Sequence, residues 1–335
     1  MIEAHKLSKQ FGSFHAVREI DLEVRPGELL ALLGPNGAGK TTTVRMLGAI
    51  LRPSGGSARI CGLDIVADAQ TVRGKVGLLT EYPGLYGRMS ASEYLNFFGA
   101  LLGLDQPTRE RRADLLLRQF GLWDARERKL DGYSKGMKQK IALVRALIHD
   151  PPVLFLDEPT TAMDPQSART VRDAIGELRN ADRSILLTTH NLAEAELLAD
   201  RIAIISGGRI IALGTFAELS QQLMGAPIYE LRLAAPHLIA PVAPALADLV
   251  TIETASGQTL RYRCPEPNLV NPQLLARLAA RDLPVVALAE VPRSLEDVYL
   301  RIVAETPSIR KQTPGPGQAR LTANEVLRQL IEAEL

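Results

Sequence analysis

The stretch "ELLALLGPNGAGKTTTVRML", residues 28–47, constrains this chain more than any other. Five apolar residues in a row end at Gly34. Such a run, stopped by glycine, reads as a buried strand, and the pattern from Lys40 onward reads as a helix. Between them, "GPNGAGKTT" fits G-x-x-x-x-G-K-[ST] in the strand–loop–helix setting that this pattern requires. At average composition a chain of this length matches it by accident about one time in a hundred, so a chance Gly-rich turn is the weaker reading. The glycines allow the backbone to curl until successive N–H groups point inward as a nest for phosphate oxygens. The helix start adds its positive dipole end. Gly34, Pro35, Asn36, Gly37, Ala38, Gly39, Lys40, Thr41 and Thr42 are therefore expected to hold a nucleotide's phosphates. Lys40 is expected to reach the β- and γ-phosphates and Thr41 to ligate Mg²⁺.

A loop of this kind needs a second metal ligand from a neighbouring strand. "VLFLDEP" supplies Asp157 at the end of an apolar strand, and Glu158 follows at once. An acid pair at a strand end can also be a helix-start signal. Behind a phosphate loop, the better reading is Asp157 for the metal and Glu158 to polarise an attacking water. "ILLTTH" ends on His190, at the tip of the next strand. A lone histidine is usually structural. This one falls on the same carboxyl edge of the sheet as Gly34 and Asp157, where open α/β sheets bind ligands. His190 is expected to sense the γ-phosphate.

These strands alternate with helical patterns, which predicts an α/β fold with a parallel sheet. Residues 1–24 alternate apolar and polar positions and read as short antiparallel strands. Residues 90–149 read as mostly helical, a block inserted into the alternation. From about 226 the texture changes: "IYELRLA", "QTLRYRC" and "LPVVALAEV" read as strands, with "NPQLLARLAARD" as a helix between the last two. The expected organisation is an ATPase-type unit over residues 1–225 with a helical subdomain at about 82–149, a small α+β unit over 226–303, a linker over 304–321 and an amphipathic helix over 322–335. That last helix opens on a capping box, Thr322 and Glu325.

Composition narrows the function. A net charge of +1 over 335 residues gives no global electrostatic case for binding nucleic acid. Two cysteines far apart, Cys61 and Cys264, make neither a disulfide framework nor a zinc pattern and suit a reducing cytosol. The start "MIEAHKLSKQF" has no apolar signal region. The most apolar tract, "LIAPVAPALADLV", is short, holds two prolines and an aspartate, and is not expected to span a bilayer. Any membrane role is expected to run through a partner.

The motifs in order are the phosphate loop, a helical insertion ending in "YSKGMKQK", then "LDEP", "AMDP" and "TTH". That series resembles the ATP-binding subunit of ABC transporters over roughly residues 1–220. The resemblance implies a P-loop NTPase with a RecA-like parallel core, an N-terminal antiparallel β subdomain and a helical insertion. It implies Phe11, in "LSKQFGSFHAV", as the aromatic that stacks on adenine, with Phe14 a nearby competitor. Ser134, Lys135, Gly136 and Met137 take signature positions, and Asp164 in "TAMDP" takes the place of the D-loop acid. Glu158 and His190 take the catalytic pair. Three residues depart from the usual pattern. Glu81 in "GLLTEYPGLY" stands where the family usually has glutamine, and a carboxylate can approach Mg²⁺, including through water. Lys135 replaces a glycine and Met137 a glutamine. These forms look like the bacterial branch associated with multidrug and antibiotic export, and "SLEDVYL" near residue 300 is similar to that branch's closing segment.

In family terms two ATPase units pair head to tail, each ATP lying between one copy's P-loop and the other's signature. One P-loop and one signature in the chain make a homodimer the simplest closure. Ser134 stands at an N-cap-like position before "KQKIALVRALI", so its hydroxyl, the Gly136 backbone and the helix dipole can all face an anion. The expected activity is Mg²⁺-dependent ATP hydrolysis coupled to export through a separate membrane permease, with this chain held peripherally at the cytoplasmic face. The rival reading is a soluble ABC-type ATPase acting away from membranes.

Overall fold

The computed structural model describes residues 1–161, 163–179 and 182–305. The chain opens with the antiparallel hairpin β1 (Ile2–Phe11) and β2 (Phe14–Val24). β3 (Leu29–Leu33) leads through the Gly-rich loop into α1 (Lys40–Leu47). β4 (Gly55–Ile60) and β5 (Leu63–Asp64) return to the hairpin and complete an antiparallel sheet in the order β2-β1-β4-β5. α2 (Ala69–Lys75) and β6 (Val76–Leu79) follow. The helical block is α3 (Ala91–Leu101), α4 (Gln106–Gln119) and α5 (Lys135–Leu147). The chain then alternates through β7 (Val153–Asp157), α6 (Pro165–Glu177), β8 (Ser184–Thr189), α7 (Leu192–Leu198) and β9 (Arg201–Ser206). β10 (Arg209–Gly214) folds back on β9, and α8 (Phe216–Met224) comes next.

The central sheet has the order β10-β9-β3-β8-β7-β6, parallel except for β10. All five residues of β3 are buried because both its faces are covered, which is why it reads as an unbroken apolar run. Leu30 and Leu32 face a core shared with the antiparallel sheet and α1. Ala31 and Leu33 face a second core built with α7 and α8. Each fully buried leucine contributes about 1.5–3 kcal/mol. The helical block packs with the far side of the sheet through Tyr94, Leu117, Leu143 and Leu154.

Beyond α8 lie β11 (Ile228–Leu233), α9 (Ile239–Leu246), β12 (Thr251–Ser256), β13 (Thr259–Arg263), α10 (Pro267–Ala279), β14 (Val285–Glu290) and α11 (Leu295–Glu305). The strands form an antiparallel sheet, β12-β13-β11-β14, over its own core of Leu231, Leu260, Tyr262, Leu274 and Leu278. α11 does not belong to that core. Leu295, Val298 and Ile302 pack instead with Ala31, Ala195, Ile204 and Leu219 of the central-sheet unit. The span expected as one unit, 226–303, therefore divides its buried surface between two places. Most of "LIAPVAPALADLV" lies in α9, which carries Pro244 inside it. No helix among the described residues is long and apolar enough to cross a membrane. The expected linker and terminal helix, 304–321 and 322–335, lie outside the described residues except for 304 and 305, the last two residues of α11.

Candidate functional site

The carboxyl ends of β3, β7 and β8 meet where the parallel pairing aligns them. Leu33 is in register with Thr189, and Asp157 with Thr188. The loop after β3 is fastened at its start by the Gly34 amide, which donates to the Thr189 carbonyl at 3.2 Å. Gly39 takes φ +106°, and a Cβ there would sit 2.5 Å from the Ala16 carbonyl oxygen. Only glycine fits that close approach of loop to β2. The turn between β9 and β10 braces the same loop, with the Gly208 amide donating to the Ala38 carbonyl at 3.1 Å.

Lys40 opens α1 and is almost wholly buried. Its ammonium donates to the carbonyls of Gly34 at 2.7 Å and Pro35 at 3.2 Å. It also lies 3.1 Å from Glu158 Oε1, an ion pair without hydrogen-bond alignment. The Thr41 hydroxyl donates to Asp157 Oδ1 at 3.2 Å, and the Thr188 hydroxyl donates to that same oxygen. A hydroxyl and a carboxylate held this close are the hard oxygen donors that suit Mg²⁺, which takes one or two protein ligands beside a substrate's phosphates. The donor set fits that ion.

Glu158 follows the strand in a left-handed backbone conformation, φ +51°, costing of order 1 kcal/mol. Its amide donates to the Thr188 carbonyl at 3.0 Å. Its Oε2 accepts from the Thr161 hydroxyl at 2.9 Å and lies 2.8 Å from His190 Nδ1. The structure thus brings Lys40, Glu158 and His190 into one buried-to-surface chain: the first two are buried and His190 is half exposed.

The cleft over this loop has a volume of about 350 Å³. It runs along Pro35, Asn36, Gly37 and Gly39 to Thr42, with Glu81 and Glu158 on its acidic side. Phe14 forms its aromatic wall, and Phe11 is not part of the lining. The two phenylalanines pair across the end of the β1–β2 hairpin. Phe11 sits instead beneath the Lys9 ammonium, 5.0 Å from its ring centre.

The signature segment lies elsewhere. Ser134 is the N-cap of α5, its hydroxyl accepting from the Met137 amide at 3.2 Å. Tyr133 is buried, its hydroxyl donating to the Ala125 carbonyl at 2.8 Å. Gly136 packs against the start of α6, where an added Cβ would stand 2.8 Å from Ser167 Oγ. Asp164 caps α6 by accepting from the Ser167 amide at 3.0 Å, and the Ser167 hydroxyl together with that amide holds its carboxyl below the usual range. Lys135 is exposed and lines a second cleft of about 400 Å³ together with Glu81, Thr161 and Met163. Glu81 therefore stands between the two clefts. Arg145, on α5, donates to the Pro83 carbonyl at 2.9 Å and to the Tyr94 hydroxyl at 2.8 Å, so the helix of the signature holds the segment after Glu81. Nothing in the sequence near Arg145 signals that role.

A phosphate-cradling loop, an aspartate beside its threonine, and a glutamate–histidine pair at one sheet edge define a P-loop ATPase. The ABC transporter family model matches residues 17–161. The chain is 40% identical over 304 residues to the daunorubicin/doxorubicin resistance ATP-binding protein DrrA of Streptomyces peucetius, covering 90% of this chain and 92% of that one. It is 35% identical over 302 residues to the Nod factor export ATP-binding protein I of Cupriavidus pinatubonensis, covering 90% of each. A solved ATP-binding subunit of an ABC transporter matches with a TM-score of 0.62 at 32% identity, covering 67% of this chain and 94% of that one. The chain belongs to the ABC transporter family, as an ATP-binding, ATP-hydrolysing subunit.

Proposed function

We propose that this chain works as a head-to-tail pair, with each ATP held between the phosphate loop of one copy and the signature helix of the other, and that the pair drives an export permease in the membrane. The observation that carries the reading is the separation of two complementary half-sites on one chain. The phosphate cleft is ready for an anion, and Ser134 caps an exposed helix end that can face one.

In this reading Gly34 through Thr42 hold the phosphates, and Phe14, in place of Phe11, stacks on the adenine. Thr41 and Asp157 hold Mg²⁺, with Glu81 near enough to the cleft to join through water. When bound, the ion neutralises charge developing on the phosphoryl oxygens. Glu158 accepts a proton from the attacking water, and His190 fixes the Glu158 carboxylate and reaches the γ-phosphate. Ser134, Lys135, Gly136 and Met137 approach that phosphate from the second copy, with Asp164 at the interface. Loss of the γ-phosphate then loosens the pair. The exposed Tyr82, Tyr86 and Phe97, beside the segment after Glu81, are the surface for the permease. That partner would hold the chain at the cytoplasmic face of the membrane. The names of the relatives favour export of lipophilic compounds such as daunorubicin. The near-neutral charge supports no nucleic-acid partner.

The test is the mass of Glu158→Gln in Mg²⁺-ATP by sedimentation. The expected result is a doubled mass with turnover lowered about a hundredfold or more, and a return to monomer mass when Ser134→Arg is added. A Glu158→Gln protein that stays monomeric at saturating ATP overturns the paired site.

A further inference from the structure

Glu194 lies four residues past His190, on α7, and is 1% exposed. An unpaired carboxylate in such a place is costly, so its neighbours matter. Oε1 accepts from the Thr160 hydroxyl at 2.7 Å. The Thr189 hydroxyl lies near the carboxyl and favours its charged form. Oε2 has no hydrogen-bond partner among the described residues. The glutamate's own amide donates to the Asn191 side chain at 3.2 Å, which caps α7.

These contacts place one carboxyl behind the hydrolytic pair and in touch with both segments that form it. Thr160 is two residues past Glu158, and its neighbour Thr161 donates to Glu158 Oε2. Thr189 immediately precedes His190, and its hydroxyl accepts from the Asn191 amide at 3.0 Å. Thr160 also feeds the turn toward Asp164, its carbonyl accepting from the Met163 amide at 3.3 Å.

We propose that Glu194 is a positioning residue for ATP hydrolysis: its buried carboxyl ties Thr160 to the Thr189–His190 segment and so sets the 2.8 Å contact between His190 and Glu158. Burial pushes the Glu194 carboxyl up, the Thr189 and Thr160 hydroxyls pull it back, and the nearby Glu158 charge raises it again against a smaller pull from Arg172. The inference rests on Glu158 and His190 being the hydrolytic pair.

The experiment measures ATP turnover and ATP affinity in the full chain for Glu194→Ala, Glu194→Gln, Thr160→Val and the Ala/Val double variant, beside Glu158→Gln. Glu194→Ala is expected to lower kcat about tenfold to a hundredfold with Kd for ATP within about twofold, since misplacing the pair costs rate and not binding. Glu194→Gln keeps an acceptor of the same shape and is expected to retain kcat within about threefold. Thr160→Val removes the same bond from its other end without relying on a cavity at residue 194. The double variant is expected to be no slower than the slower single one, because both remove one interaction. Wild-type kcat in Thr160→Val, a Gln variant as slow as Ala, or ATP affinity falling in step with kcat overturns the proposal. Near-normal turnover in Glu158→Gln instead removes the pair assignment on which it rests.

Discussion

Lys40, Asp157 and Glu158 are 6%, 2% and 6% exposed, whereas Ser134 and Lys135 stand on the surface. The first group is held from several sides: by β8 through Thr188, by α1 through Thr41, and by the loop's own carbonyls. Ser134 is held by the helix it caps. The phosphate end is thus finished by the fold of one chain. The segment around Ser134 is a capped helix terminus at the surface, which the proposed pairing would turn toward the second copy's phosphate. A charge buried against three segments depends on every one of them, and a surface cap depends on its own helix alone.

That contrast can be broken by substitution. Lys40→Ala should have the largest effect, lowering ATP affinity about a hundredfold or more by isothermal titration, because it removes the phosphate's cation and leaves Glu158 without its buried partner. Ser134→Arg should abolish steady-state ATPase activity while ATP binding to the monomer stays within about threefold, since the cap lies outside the phosphate cleft. If its monomer affinity fell with its activity, the two ends would not be separable. Phe14→Ala should weaken ATP binding about fivefold to tenfold, in line with the loss of one stacked base, and Phe11→Ala by less than about twofold. The reverse order would return the adenine contact to Phe11. Leu295→Ala should leave ATP affinity unchanged yet destabilise the nucleotide-binding side by about 2–4 kcal/mol, read as a lowered Tm. It would show that α11 serves that side and not the small sheet.

The local elements that carry the candidate site are legible in the sequence. β3, the Gly-rich loop and α1 announce themselves locally, and Asp157, Glu158 and His190 each follow a run of buried strand residues. The edge strands β5, β6, β10 and β12 do not stand out in the sequence, because exposed edges and two-residue strands carry little periodic signal. The resemblance puts Phe11 ahead of Phe14, whereas Phe14 is the one that lines the cleft. Glu194 left a faint trace, an acid four residues before Leu198 on the buried stripe of α7. Its partner Thr160 lies 34 positions away, so no local pattern could pair them.

α11 sharpens the same point. Its start carries a readable cap, with the Asp297 amide donating to the Ser294 hydroxyl at 3.2 Å. Its destination was not readable: the Leu295 amide donates to Glu196 Oε2 at 3.0 Å, joining α11 to the helix that carries Glu194.

The sequence by itself determined the phosphate loop, the acid pair, the histidine and the family, because each depends on residue types at fixed short spacings. Tertiary structure decided which phenylalanine faces the cleft, where α11 docks, and which carboxyl is buried against Thr160. Those outcomes depend on sheet register and on the burial of residues far apart in the chain. Neither quantity is encoded in any short window of residues.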